Sequence, residues 1–345
     1  MTRDDSYLRR CMSCGEKRTY LLPNLEKKVI YLDQFAVSKM MFAKDPSVDP
    51  DKTSRVDPIW GSLYDRLVRL SNLQLISCPS SEFHRQESLP SEYTSELRKM
   101  YKSLSRGVRF VSAERIRRIQ VLEDLESWVN REDSFEHTFD PEVVTSGGVN
   151  DWSRKFYASV EPDLGKKAEE EFKRWKKEAG RSLKDVFDEW RSMDREEFEI
   201  EGHLHTECEG WKKGLLLNFF EQAQVQKEIL SGERDLSSTE VVPSGDAELL
   251  IRIFQVVKKH SDSEQEAFLK SLEYLETSRP CYVPAVEMSM LFYTAIARQA
   301  AVVGQSSPPD QGMPIDIEMV SSLLPYCDAM LVDDKCAEYL QKQPP

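Results

Sequence analysis

Four apolar residues, Val29–Leu32, run straight into an acid at Asp33. The run reads as a buried strand, and residues 28–33 are the first of several such segments. "LQLISCP" at 73–79 reads as a second strand, stopped by Pro79, "VRFV" at 108–111 as a third, and "DAMLV" at 328–332 as a last. Helical spacing lies between them. Trp60, Leu63, Leu67 and Leu70 recur at helical intervals within 58–72. Ser80 and Ser81 offer cap oxygens to a helix carrying Glu82, His84 and Glu87. "SAERIRRIQVLEDLESWV" follows the third strand; 283–303, 316–324 and the segment opening "DDKC" supply further helices. Strands alternating with helices predict βαβ units and a parallel sheet, an α/β chain.

The middle of the chain differs. From 131 to 282 it is rich in Glu, Lys, Asp and Trp, and residues 165–199 are helical in period with charges on the exposed faces. Residues 230–246 read as a loop. At 345 residues the chain is long for one domain. The expected organisation is a polar lead at 1–27, an α/β core formed by 28–130 with 283–345, and a helical insertion at 131–282.

Composition narrows the function classes. The formal charge is −13, so general attraction to nucleic acid is weak, because Lys and Arg lead such binding. A nucleic-acid contact would need a local basic patch or bound cations. No run of 18 apolar residues suggests a membrane span. "MTRDDSYLRRC" has no secretory apolar stretch, and seven scattered cysteines suit a reducing cytoplasm. No GxxxxGK loop or nucleophile–base pair is present, which argues against NTP hydrolysis by this chain alone.

In open parallel sheets ligands sit beyond the carboxyl ends of the strands. Acids fall near that edge repeatedly: Asp33 after the first strand, Glu82 or Glu87 on the helix after the second, Asp316 before the last strand, and Asp328, Asp333 and Asp334 around it. Any one of these, alone, is ordinarily a cap or turn residue. Several together repel one another unless a cation neutralises them. Mg²⁺ or Mn²⁺ suits oxygen ligands and phosphodiester hydrolysis.

The stretches "VIYLDQFAVSKM", "CPSSEFHRQES", "GMPIDIEMVSSLLPYCDAMLVDDKC" and, more loosely, "VPAVEMSMLFYTAIARQA" resemble the PIN-like nuclease domains, and within them a bacterial branch with a long helical insertion. The resemblance covers residues 28–125 and 283–342. It implies a three-layer α/β/α sandwich with a parallel sheet, and metal-dependent cleavage of RNA, sometimes of DNA. It also implies that Asp33, Glu87, Asp316 and Asp333 or Asp334 are the catalytic and metal-holding acids. Glu82 matches less well than Glu87, and Asp328 is an added candidate ligand. The usual Thr or Ser before the last acid is missing from "LVDDK", which keeps both Asp333 and Asp334 in the set.

Three further signals stand apart. Residues 97–118 hold eight Lys or Arg residues, with Arg98, Lys102, Arg109, Arg115, Arg117 and Arg118 as candidate phosphate contacts. The plain alternative is a solvated face pairing with the acidic insertion. Cys11 and Cys14 form half of a zinc site that His203, His205 and Cys208 would complete; the alternative is a pair of free thiols. His84 lies three residues before Glu87, on the same helix face, and reads first as a hydrogen-bonded packing histidine. The expected activity is that of a cytoplasmic ribonuclease with a toxin, RNA-processing or phage-defence role. The rival reading is an inactive binding module or adaptor that meets a protein partner through 131–282.

Overall fold

The computed structural model describes residues 6–132, 135–152, 165–196, 198–233 and 244–341. Most of the loop read at 230–246 therefore lies outside the described residues. The chain begins with strands β1 (Ser6–Arg10), β2 (Lys17–Leu21) and β3 (Lys28–Leu32), then helices α1 (Gln34–Lys44), α2 (Pro50–Thr53) and α3 (Ile59–Asn72). Next come β4 (Ile76–Ser77), α4 (Glu82–Ser88), α5 (Thr94–Ser105), β5 (Arg109–Phe110), α6 (Ala113–Val129) and β6 (Thr145–Ser146). Long helices follow: α7 (Gly165–Ser192), α8 (Ile200–Ser231), α9 (Gly245–Lys258) and α10 (Glu264–Glu276). The chain closes with α11 (Pro284–Arg298), α12 (Met313–Leu323), β7 (Ala329–Leu331) and α13 (Asp334–Gln341). The protein is thus a mixed α/β chain, mostly helical, with a small parallel sheet.

Two compact units divide it. The first holds residues 1–111, 140–174 and 326–334. Its centre is β3, flanked in parallel by β4 and β7, with Val29 opposite Ser77 and Leu32 opposite Leu331. Ser80 carries the pairing onward by a parallel bridge to Arg109 of β5, and β6 adds antiparallel to β5. Counted in chain order as first to fourth, the parallel strands β3, β4, β5 and β7 stand side by side as 3-2-1-4. Val29, Tyr31 and Leu32 are all buried, so β3 is covered on both faces, as parallel strands are. That explains why its sequence is a continuous apolar run. Asp33 then caps α1, whose Ala36, Val37, Met40 and Met41 are buried against Leu67, Ile76, Leu97 and Leu104. Val37 and the Met and Leu side chains here each contribute roughly 1.5–3 kcal/mol when fully buried, so Val37→Asp would break this packing. Just after β6, Gly147 has φ +93°, and a Cβ there would stand 2.7 Å from the Gly107 carbonyl oxygen ahead of β5, so only glycine fits.

Residues 112–139, 175–325 and 335–345 make the second unit. It is helical among the described residues. Val121 and Leu125 of α6, Cys208 and Leu215 of α8, Leu249, Ile253 and Val257 of α9, and Tyr274 of α10 share one core with Val286 and Met290 of α11. The grouping differs from the sequence-based boundary: α6, α11 and α12, expected with the sheet, cluster with the insertion helices. The apolar faces of α6 and α11 are shared with α8–α10, α12 packs on α6 and α11, and periodicity does not name a partner. Asp124, 7% exposed, is held here by Arg279 Nη2 at 2.8 Å and by the Tyr274 hydroxyl at 2.8 Å. Cys208 and Cys281 form a disulfide, so not all seven cysteines are the free thiols expected from their scatter. Among the described residues no helix is long and apolar enough to cross a membrane.

Candidate functional site

The carboxyl edge of the parallel sheet, within the first unit, carries Asp33, Asp333 and Asp334, and α4 carries Glu87. β3 ends at Leu32, and the Asp33 N–H continues the ladder by donating to the Leu331 carbonyl at 3.0 Å. The Asp33 carboxylate, on a residue 8% exposed, turns back to accept the Gln34 N–H at 2.6 Å. Its position is therefore fixed by a strand bond on one side and a helix start on the other. Asp333 lies two residues beyond β7, half-buried, and Asp334 opens α13 and is exposed. Strands β3 and β7 are the pair at which the strand order reverses, the place where doubly wound sheets open a crevice.

Helix α4 leaves β4 toward the same edge. Ser81 caps it, and His84 at its third position completes a capping box by accepting the Ser81 N–H on Nδ1 at 3.1 Å. That bond fixes the tautomer. Nε2 then carries the proton and donates to the Leu32 carbonyl at 2.7 Å. The imidazole stacks on Tyr31 at 4.9 Å and on Tyr101 at 4.3 Å, and burial holds its pKa down at about 4. His84 is thus a neutral packing residue that clamps the peptide just before Asp33. Both ring nitrogens are engaged within the protein, as a hydrogen-bonded packing histidine requires.

Glu87 lies one turn further along α4, half-buried, and its backbone carbonyl receives the Gln34 side-chain amide at 3.4 Å. Burial foremost, then the Asp33 and Glu87 carboxylates, push the Tyr31 phenol well above its usual range. Burial and the same two carboxylates do so for Tyr101. Both acids therefore act on one small region. Two buried polar atoms there have no hydrogen-bond partner: the Gln34 side-chain oxygen and the Tyr101 hydroxyl. Neither residue was a candidate from sequence; the one available signal was the position of Gln34 immediately after the capping acid. Glu82, at the opposite end of α4, sits in its first turn and is half-buried.

Other predicted residues go elsewhere. Asp328 lies at the amino end of β7, across the sheet from Asp33. Its carboxylate accepts from Lys28 Nζ at 2.7 Å and from the Val29 N–H at 2.8 Å. Both bonds hold its charge and keep its pKa below the usual carboxylate range. It is a strand-start clamp, not a ligand of the carboxyl edge. Asp316 belongs to the second unit, in the first turn of α12. A Cβ built at Gly312 would stand 3.7 Å from its Oδ2 and 3.6 Å from Lys176 Nζ, so that ammonium shares its surroundings.

The basic stretch is divided in the same way. Arg98, Lys102 and Arg109 lie in the first unit; Arg115, Arg117 and Arg118 lie in the second. Arg117 meets Glu318 at 3.4 Å and Asp246 at 4.0 Å, and Arg118 meets Glu248, so these two pair with acids, as the plain alternative held. The composite zinc site fails. Cys208 is spent in its disulfide, and His203 is 8% exposed with Nδ1 3.2 Å from the Thr294 hydroxyl. Among the described residues no group of three or more His, Cys, Asp or Glu side chains is arrayed to hold a metal ion. Comparison of the chain with protein families, with curated proteins and with solved structures gives no match.

Proposed function

We propose that the chain is a metal-dependent nuclease of PIN-like, three-layer fold, cutting phosphodiester bonds in RNA. The observation that carries the reading is Asp33: a buried carboxylate at the carboxyl end of the central strand, at the switch point of a 3-2-1-4 sheet, beside an unpartnered carbonyl oxygen on Gln34. Asp33, Glu87 and Gln34 offer oxygen donors only, which fits a hard cation such as Mg²⁺ or Mn²⁺. Bound there, such an ion supplies positive charge to the phosphoryl oxygens of a backbone. Asp33 and Glu87 hold it, and Asp333 and Asp334 extend the acidic rim. Arg98, Lys102 and Arg109 are the candidate phosphate contacts that lie in the same unit. Asp316 enters on the resemblance alone.

Labelled RNA and DNA incubated with Mn²⁺, with Mg²⁺ and with chelator test the reading. Cleavage is expected with the metals only, and Asp33→Asn and Glu87→Gln each lose about 100-fold or more, as removal of a charge-stabilising group does. Asp316→Asn is the arm that decides its membership. Undiminished cleavage by Asp33→Asn sinks the proposal. A second reading, an inactive module that binds without cutting, draws on the lack of a three-ligand array among the described residues. RNA binding that survives chelator, without cleavage under any metal, selects it.

A further inference from the structure

Among the described residues of the hairpin of β1 and β2, Ser6 alone is buried. Every residue of Lys17–Leu21 is exposed, and Leu8, Met12 and Leu21 present apolar surface. A two-stranded hairpin is marginal in water, and small units of this kind are stapled by a metal, a disulfide or a partner. The tip carries "CMSCG". Cys11 and Cys14 are both exposed there. The turn closes tightly: the Cys11 N–H donates to the Glu16 carbonyl at 2.8 Å, and the Gly15 N–H donates to the Cys11 carbonyl at 3.0 Å. Gly15 takes φ +72°, the left-handed region that favours glycine.

The Ser13 hydroxyl lies 3.0 Å from Cys11 Sγ. Two cysteine sulfurs exposed on one tight turn, with two residues between them, are a common half of a zinc site. The Arg10 guanidinium lies beside Gly15, and Arg18 pairs with Glu16 at 3.0 Å. Zinc takes four ligands, and two thiolates two residues apart supply half. Among the described Cys and His residues of the first unit, Cys78 is buried with its thiol pushed up to about 12, burial pushes the half-buried Cys327 thiol up to about 12 as well, and both His84 nitrogens are engaged.

We propose that Cys11 and Cys14 form half of a zinc site completed by the same two cysteines of a second copy of this chain. One Zn²⁺ with four thiolates then joins two hairpins about a two-fold axis, and Leu8, Met12 and Leu21 are covered by the partner. A closed, self-complementary contact is the commonest way like chains pair. The site is independent of the nuclease reading.

Full-length protein purified with reductant and without chelator tests it, by metal analysis and light scattering. One zinc per two chains is expected, in a dimer. Cys11→Ser and Cys14→Ser each lose both the metal and the dimer, while His205→Ala keeps both. Cobalt replacing zinc should give the strong sulfur-to-metal absorption of a four-thiolate site. Zinc at one per chain in a monomer, no uptake on titration with Zn²⁺, or a dimer that survives both serine variants overturns the proposal.

Discussion

Replacing His84 by Phe isolates what the imidazole does behind Asp33. The ring volume and the stacking on Tyr31 and Tyr101 are kept, but two hydrogen bonds go. The Leu32 carbonyl and the Ser81 N–H are then left without their ring partners. Each orphaned buried group costs about 1–3 kcal/mol, so the variant is destabilised by roughly 2–6 kcal/mol at pH 7. Acid should separate the two proteins further. In the folded chain His84 stays neutral down to about pH 4, while the unfolded chain takes up its proton near 6.5. Between those values the unfolded state binds more protons, so stability rises with pH. The contribution of His84 is complete above about pH 6.5 and is lost as pH falls toward 4. At about 1.4 kcal/mol per pH unit, lowering the pH from 6.5 to 5 removes about 2 kcal/mol from the wild type and none of this term from His84→Phe. Urea denaturation read by hydrogen exchange in peptides covering residues 28–42 and 76–88 measures both. Equal acid slopes for the two proteins, or no loss at pH 7, would refute the clamp.

Other outcomes follow from the same structure. Arg279→Ala leaves Asp124 with the Tyr274 hydroxyl alone and should cost about 2–4 kcal/mol, a broken buried pair discounted because the arginine is 30% exposed; thermal melting checks it. Reducing the Cys208–Cys281 bond, which closes a 73-residue separation, should lower the stability of the helical unit by about 2–5 kcal/mol, and denaturation with and without dithiothreitol measures this. Gly180→Ala places a Cβ 2.8 Å from the Gln311 Cα and should cost about 1–3 kcal/mol by overpacking, whereas Gly214→Ala, with open space around it, should not destabilise. Lys28→Ala should relax the carboxyl of Asp328 toward its ordinary pKa while leaving Asp33 in place, which a carboxyl NMR titration reads.

The strands were legible because each is a short apolar run beside a punctuating residue. Their lengths were not: β4 narrows to Ile76–Ser77 because Ser80 leaves to bridge β5. Asp33 and the Ser81 cap could be read from position alone. Asp328 could have been set aside on the same rule, since a residue that opens a strand stands at its amino end. Gln34 and Tyr101 gave little warning; their buried, unpartnered atoms are products of packing. The Cys208 partner lay beyond reading, because spacing does not fix disulfide connectivity. The grouping of α6 and α11 with α8–α10 was hidden for a related reason: an apolar stripe says that a helix is covered, not by what.

The central strand has an unusual history during synthesis. β4 arrives within a few dozen residues of β3, but β7, its other neighbour, emerges roughly 250 residues after β4. At about 5–20 residues per second the ribosome takes on the order of 10–50 s to cover that span. Through that interval one flank of β3 is an open edge, a template for mispairing with any extended chain nearby. A nascent polypeptide halted before residue 329 therefore carries its stickiest backbone where the finished protein is most enclosed, and β3 is the segment a chaperone would have to shield.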